Sequence, residues 1–169
     1  MEHSGEHLLD HLLATRALVE SWGARPALCD AVLFHSVYGT EFLGEGIVGT
    51  ERRAEVRTLI GDESEALAWL WHAVRRESLA DNLGRSENLR VDCRDGTVAS
   101  LSRQQFEDLV NLMIADAVEQ LPRRGAESAE RQQKWLSPFL RVAMPQAALA
   151  ARECFRRQGA GAGQAMHAP

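Results

Sequence analysis

The sequence predicts an all-α fold, a helical bundle that carries one small β-hairpin. Three observations support this prediction: apolar residues recur at helical spacing along most of the chain, capping residues precede two helical segments, and one short segment alternates around an Asp-Gly pair. A chain of 169 residues can bury enough surface to fold without a disulfide or a metal. We expect one domain over residues 1–158 and a flexible tail, rich in glycine and alanine, over residues 159–169.

The helices are predicted from apolar periodicity and from capping residues. In the first of them, Leu8, Leu12 and Trp22 form one stripe. The predicted segments are Glu6–Trp22, Pro26–Val37, Glu51–Ile60, Glu63–Ala80, Arg103–Gln120 and a last region from Ser128 that Pro138 and Pro145 interrupt. Capping-box spacing opens two of these helices, at Asp62 with Glu65 and at Ser102 with Gln105.

Two segments are not helical in pattern. Residues 39–49, with the sequence GTEFLGEGIVG, hold four glycines and form a long connection, and long ordered loops tend to be functional. Residues 89–101, with the sequence LRVDCRDGTVASL, alternate on either side of Asp95-Gly96. This alternation predicts a hairpin between Leu89 and Leu101 with a two-residue turn.

The charge of the chain is acidic, with 19 basic and 24 acidic residues and a net charge of −5. This balance lacks the electrostatic footprint of a protein that binds duplex nucleic acid. We interpret the arginine pairs as solvated helix faces. These pairs are Arg52-Arg53, Arg75-Arg76 and Arg123-Arg124.

The cysteines and the apolar runs exclude further classes of protein. Cys29, Cys93 and Cys154 are odd in number and show no CxxC spacing, which argues against a disulfide framework or a structural zinc site. The charged start MEHSGEHLLDHLL is not typical of a signal peptide, and no apolar run is long enough for a membrane span. We therefore expect a cytoplasmic protein that binds neither nucleic acid nor membrane.

Two histidines lie on the apolar faces of predicted helices. On the first helix, His11 falls between Leu18 and Trp22. On the second helix, His35 is in line with Val32. A single inward histidine is more often a satisfied core residue than a ligand, so each alone indicates little about function.

An aspartate adds to this pattern. Asp116 stacks over Leu109 and Leu112 on the apolar stripe of its helix, where a carboxylate is costly to bury without a cation, a metal or strong hydrogen bonds. Two imidazoles and one carboxylate are a ligand set suited to Mn(II), Fe(II) or Zn(II). A metal site and a set of satisfied core residues are the two readings that the spacing leaves open.

Three segments carry a resemblance to a known superfamily: HLLATRALVESWG, then AVLFHSVYGTE, then ADAVEQ. Their order resembles the HD-domain superfamily, an all-helical fold whose metal ligands are a histidine, a His-Asp pair and a later aspartate. More narrowly, HSGEHLLDHLLATRALVESWGA with LFHSVYGTEFL resembles a small family of HD-like bacterial proteins, over roughly residues 3–120. The layout is nearest to that of the alarmone hydrolases, which remove pyrophosphate from guanosine tetraphosphate.

The resemblance implies an HD-like bundle and assigns the ligands. His11 matches the first histidine, His35 the second and Asp116 the final aspartate. Ser36 stands where the superfamily has the aspartate of its His-Asp pair, and a serine cannot bridge two ions as a carboxylate does. The expected cofactor is therefore one divalent ion, Mn, Fe or Zn. His3 or Glu41 is the expected source of a fourth ligand.

Two residues near the second histidine are candidates for catalysis. Glu41, in the glycine-rich loop, is either a general base near the metal or a solvent-exposed loop residue. Tyr38 either orients the substrate or donates a proton, or it is a packed tyrosine with a bonded hydroxyl, which is the more common case. The expected function is the metal-dependent hydrolysis of a phosphorylated or nucleotide-like small molecule, or an oxidative reaction at iron. The alternative is a degenerate, non-catalytic module that binds a small molecule or a protein. A homodimer is compatible with either.

Overall fold

The computed structural model describes residues 3–42, 44–124 and 126–165, with backbone alone for residues 3–6, 126 and 159–165. The described ranges contain seven α-helices and one antiparallel hairpin, which confirms the predicted all-α fold class. The helices are α1 His3–Ser21, α2 Pro26–Leu33, α3 Arg53–Ile60, α4 Asp62–Ala73, α5 Arg103–Gln120, α6 Ala126–Leu136 and α7 Pro145–Ala165. The strands are β1 Leu89–Asp92 and β2 Val98–Leu101.

Helix α5 runs through the centre of the bundle. It contacts α1, α2, α4 and α7, and its apolar residues Phe106, Val110, Leu112 and Ile114 are fully buried. Its start is fixed locally, because the predicted capping box is present: the Ser102 N–H donates to Gln105 Oε1, and the Gln105 N–H donates to Ser102 Oγ. A helix surrounded on several sides can bring its polar side chains to a point where other helices meet.

The second predicted capping box is wrong. Gly61 precedes α4 and provides no side-chain cap, and the Glu65 carboxylate does not turn back to the helix start. It bonds instead to Arg53, on α3, because an arginine is a stronger partner for a buried carboxylate than one peptide N–H.

The hairpin lies where it was predicted, with Leu89 paired to Leu101 and Asp92 to Val98. Its turn differs from the two-residue prediction. The Cys93 N–H donates to the Thr97 carbonyl and the Gly96 N–H donates to the Cys93 carbonyl, so three residues form the loop. Gly96 has φ +86°, the left-handed conformation that such three-residue loops require at their last position.

Two helices end at least one turn earlier than predicted. Helix α2 ends at Leu33 rather than Val37, and a series of turns follows, in which the Val37 N–H donates to the Phe34 carbonyl. Helix α4 ends at Ala73 rather than Ala80, because the extended Val74 forms an isolated β-bridge to Cys93 of the hairpin. Residues 76–82 then form a 3₁₀ segment, and this change of direction moves Arg76 off the predicted helix.

The last part of the chain follows the prolines. A 3₁₀ segment over Ser137–Arg141 separates α6 from α7, and Pro145 is the first residue of α7. Helix α7 continues to Ala165, so the segment predicted as a tail from Gly159 has helical backbone up to that residue. Its flexibility stays a prediction. None of the helices in the described ranges is both long and apolar enough to cross a membrane.

The glycine-rich loop folds back on itself beside α4. The Val48 N–H donates to the Val37 carbonyl, and His72 on α4 donates to the Gly39 carbonyl through Nδ1. A Cβ atom on Gly46 would lie 2.3 Å from the Gly39 nitrogen, so this close approach of two backbone segments needs glycine. The folded loop places Glu41 and Phe42 on the wall of a cavity that α5 also lines.

Candidate metal centre

His11, His35 and Asp116 converge, as predicted, from three separate segments of the bundle. His11 Nε2 lies 3.2 Å from Asp116 Oδ1, and His35 Nε2 lies 3.6 Å from the same oxygen. The two imidazole rings are edge to face, with centroids 5.3 Å apart. One ligand atom from each residue lies within 4.8 Å of the other two, so the cluster could hold one metal ion.

His35 offers a free lone pair to this cluster. Its ring is 2% exposed, and its Nδ1 donates to the Val32 carbonyl at 2.6 Å. Burial lowers the pKa of His35 below its ordinary value, which favours the neutral ring. In the neutral ring the only proton is on Nδ1, so Nε2 presents a lone pair towards Asp116.

His11 is oriented by a carboxylate that the sequence analysis did not identify. Its Nδ1 is hydrogen-bonded to Glu119 on α5, whose side chain is 7% exposed. The Thr15 hydroxyl donates to the His11 carbonyl at 2.7 Å and lies 3.4 Å from Nδ1. With Nδ1 facing Glu119, Nε2 faces Asp116. This arrangement matches the carboxylate–histidine pairs that orient metal ligands in proteins.

Burial also acts on the charged groups of the cluster. Burial alone lowers the pKa of His11, but its hydrogen bonds to Asp116 and Glu119 outweigh this and raise the pKa above the ordinary value. Burial alone raises the pKa of Asp116, but His11, His35 and Arg76 together lower it below the ordinary value. Both shifts favour a protonated His11 beside an ionised Asp116, and a metal ion bound to His11 would compete with that proton.

The arrangement fits a divalent cation. Ligand atoms bonded to one ion at about 2.1 Å lie about 3.0 Å apart at right angles and about 3.4 Å apart at tetrahedral angles. The two histidine–aspartate separations, 3.2 and 3.6 Å, are close to these values. Without a cation, the Nε2 lone pair of a neutral His35 faces a carboxylate oxygen of Asp116, and the two repel each other. A cation between them would remove this repulsion.

The cluster faces open space. A cavity of about 910 Å³ is lined by His11, His35, Ser36 and Asp116, among others, and we call it the larger cavity. A second cavity of about 380 Å³, the smaller cavity, is lined partly by apolar side chains, which are Trp71, Met113, Leu121 and Trp135. Phe42, Trp71, Arg76 and Asp116 line both. A small molecule can therefore reach the metal cluster through the larger cavity, and the adjoining smaller cavity is partly apolar.

A buried arginine stands on the wall that the two cavities share. Arg76 is 9% exposed, and its guanidinium carbon lies 3.9 Å from the ring centroid of Trp71 and 4.8 Å from that of Phe42. Such cation–π contacts stabilise a desolvated arginine by about 2 kcal/mol. Burial still lowers the pKa of Arg76, against the opposing effects of Asp116 and Glu41. The earlier interpretation of Arg75-Arg76 as a solvated pair is wrong for Arg76, while Arg75 is exposed.

The other residues predicted for the site, Glu41, Ser36 and His3, lie in three different places. Glu41 lines the smaller cavity, and its Oε2 accepts a hydrogen bond from the Arg76 backbone N–H at 3.2 Å. Ser36 lines the larger cavity and is buried. His3 begins α1, but its side chain lies outside the described part of the structure.

Tyr38 is hydrogen-bonded to a buried carboxylate of α4. It lines neither of the two cavities, and its hydroxyl donates to Glu65 Oε1 at 2.9 Å. Burial and the contact with Glu65 raise the pKa of Tyr38 to about 12, so the phenol is held neutral. The structure therefore gives Tyr38 a place in the packing between α3 and α4, with its hydroxyl bonded, which is the packed alternative; a catalytic role stays a prediction.

Of the two site residues that were not predicted, Glu119 and Arg76, only Glu119 has a signal in the sequence. Glu119 follows Asp116 by three residues, which places both carboxylates on one side of α5. This spacing could have indicated a second carboxylate beside the histidines. Arg76 gives no such signal, because its burial depends on the end of α4 and on the position of the hairpin.

Replacing Glu119 with glutamine should weaken the binding of Zn(II) or Mn(II) by about 10- to 100-fold, because the His11 ring loses the anion that orients it. Isothermal titration calorimetry of both proteins measures the change. Arg123→Gln is the matched control, since Arg123 is 63% exposed and also contacts Glu119 without touching the cluster. Equal affinities in wild type and Glu119→Gln would show that Glu119 does not support His11.

Taken together, the fold and the site define an all-helical domain with a candidate metal centre of two histidines and one aspartate. Residues 1–76 match a domain of unknown function, DUF6817. The matched stretch contains His11 and His35 and ends before α5, so Asp116 lies outside it. No curated protein and no solved structure matches the chain. The resemblance to the HD-domain superfamily stays a prediction.

Proposed function

We propose that this chain is a mononuclear metal-dependent enzyme of HD-like fold that hydrolyses a phosphorylated or nucleotide-like small molecule. The observation that carries the proposal is the convergence of His11, His35 and Asp116 on the wall of an open cavity. Among the described side chains, three form the cluster, which leaves coordination positions free, as in catalytic rather than structural metal sites. A purely structural site would be closed by a fourth side chain.

The chemistry follows from the groups around the cluster. A divalent ion held by His11, His35 and Asp116 supplies Lewis acidity and makes water a stronger nucleophile at neutral pH. Glu41, on the wall of the adjoining cavity, is the proposed general base. Ser36, buried beside the histidines, offers a hydroxyl where a second carboxylate would be needed to bridge two ions. We therefore propose one ion per chain.

The direct test is metal analysis of protein purified without an affinity tag, followed by activity assays. We expect close to one equivalent of Mn, Fe or Zn, and phosphate or pyrophosphate release from phosphate esters or guanosine tetraphosphate. Oxygen consumption by the Fe(II) form would indicate the oxidative reaction instead. Two ions per chain would contradict the mononuclear proposal, and a chain that binds none of these ions would contradict the enzyme altogether.

The second candidate function is a non-catalytic module that binds a small molecule or a protein. Ser36 is the observation that favours it, because the cluster has one carboxylate fewer than the HD pattern provides. A protein that binds phosphate esters without turnover, with or without an ion, would support this second function.

Replacing Ser36 with aspartate should strengthen divalent-metal binding. Ser36 is 4% exposed and lines the larger cavity beside His35, so a carboxylate here adds an oxygen ligand and a negative charge near the ion. We expect a gain of about tenfold or more in affinity, measured by titration of Mn(II) and Zn(II).

Ser36→Asn is the matched control, because asparagine has nearly the same size as aspartate but carries no charge. If Ser36→Asp instead gives no gain in affinity and a lower melting temperature, the carboxylate is buried without a cation, and Ser36 is not next to a metal site.

A further inference from the structure

Arg76 is the most buried of the arginines that line the larger cavity. It is 9% exposed, and its Nε–H has no hydrogen-bond partner among the described residues. The other arginines on the larger cavity have side-chain partners: Arg123 bonds to Glu119, and Arg124 bonds to Gln120. A buried cation is costly unless anions and hydrogen-bond acceptors compensate it. Asp116 and Glu41 act on the charge of Arg76, yet its Nε–H still lacks an acceptor among the described residues.

The guanidinium group of Arg76 is held in place. It lies over the rings of Trp71 and Phe42, and its backbone N–H is fixed by Glu41 at 3.2 Å. The Glu41 carboxylate is thus directed at the peptide of Arg76. A fixed guanidinium presents its donors as a planar fork, which matches the oxygens of a phosphate group.

We propose that Arg76 binds the phosphate group of the substrate on the wall between the two cavities. This inference rests on the proposed function for the nature of the anion. Asp116 lines both cavities together with Arg76, so a phosphate held there would lie between the metal cluster and the smaller cavity.

The smaller cavity then receives the organic part of the substrate. Its volume is about 380 Å³, and Trp71, Met113, Leu121 and Trp135 give it apolar walls. Apolar walls with two indole rings favour a compact aromatic or apolar group, and polar side chains such as Glu77, Gln120 and Gln132 share the cavity with them. The substrate class is therefore a phosphate ester with a small aromatic or apolar group.

The test measures anion binding to the full chain after metal removal with a chelator, so that no ion contributes. The probes are inorganic phosphate and phenyl phosphate, and their binding is measured by isothermal titration calorimetry. Arg76→Gln removes the charge and Arg76→Lys keeps the charge without the fork. Arg75→Gln is the matched control, because it removes an exposed arginine one residue earlier.

We expect wild type and Arg75→Gln to bind phenyl phosphate equally, and more tightly than inorganic phosphate. Arg76→Gln should bind both probes about tenfold or more weakly, with Arg76→Lys in between. Unchanged binding by Arg76→Gln, or no binding of either probe by wild type, overturns the proposal. Equal affinities of the two probes overturn the assignment of the smaller cavity.

A further measurement decides the case in which Arg76→Gln does not fold. The Nε–H of Arg76 is buried, so its nitrogen-15 signal can be observed in wild type. A shift of this signal on addition of phosphate supports the proposal, and an unmoved signal overturns it. Metal binding is measured separately. A chain that binds phosphate through Arg76 but holds no ion would contradict the proposed enzyme alone, and the opposite result would contradict this inference alone.

Discussion

Asp116→Asn should lower the affinity for Mn(II) or Zn(II) by about 100-fold or more. Asp116 Oδ1 is the atom that both histidine Nε2 atoms face, and it carries the negative charge of the ligand set. Asparagine keeps the size of the side chain but removes that charge. The protein should stay folded, because Asp116 is 22% exposed on a cavity wall rather than enclosed in the core. Titration calorimetry and metal analysis measure the loss.

Asp10→Asn is the matched control for this change. Asp10 also lines the larger cavity, is exposed, and is not part of the ligand cluster. The control removes the same charge from the same cavity and should leave the affinity nearly unchanged. Equal losses in the two variants would mean that the cavity attracts cations only through its overall charge, and that Asp116 is not a ligand.

The parts of the fold that depend on neighbouring residues in sequence could be predicted. Helix α5 starts and ends where expected, because the capping box at Ser102 and the apolar stripe act within a few residues. The end of α4 could not be predicted. Val74 continues the apolar pattern, and only its pairing with Cys93, distant in sequence, draws the chain out of the helix.

The residues of the candidate site also divide into those that could be predicted from the sequence and those that could not. His11, His35 and Asp116 could be found because each places a polar group on an apolar face, and that contradiction is visible in the sequence. Arg76 is an ordinary surface residue by pattern, and Glu119 is distinguished only by its spacing from Asp116. Glu119 reaches His11 only because α1 packs on α5, and Arg76 becomes buried only because the loop and α4 place two aromatic rings beside it.

Glu65 shows the opposite error. Its sequence pattern predicts a local role as part of a helix cap, but in the structure it bonds to side chains of another helix. Its spacing from Asp62 is that of a capping box, yet its side chain is 0% exposed. It accepts two hydrogen bonds from Arg53, one from Arg57 and one from the Tyr38 hydroxyl. This one carboxylate joins α3, α4 and the turn after α2. Its loss should therefore affect the stability of the fold rather than the metal cluster.

Glu65→Gln should lower the free energy of unfolding at pH 7 by about 3 kcal/mol. The reason is that the charge opposite Arg53 and Arg57 disappears while the site stays buried. We take the low end of the usual range because Arg53 and Arg57 are 30% and 44% exposed and keep contact with water. Urea unfolding of the metal-free protein measures the change. Glu55→Gln is the control, since Glu55 pairs with Arg52 at the surface and its loss should have no measurable effect.

The pH dependence of the free energy of unfolding distinguishes the contribution of the Glu65 charge from that of its packing. Burial alone raises the pKa of Glu65, but the hydrogen bonds from Arg53, Tyr38 and Arg57 outweigh it and lower the pKa in the folded chain. In the unfolded chain the pKa returns to about 4.3. The stabilisation is therefore complete above about pH 4.3 and is lost as the pH falls through the folded pKa. The difference between wild type and Glu65→Gln should be full at pH 7 and should shrink in acid. A difference that stays constant down to pH values of about 3 would mean that packing, not charge, makes Glu65 necessary.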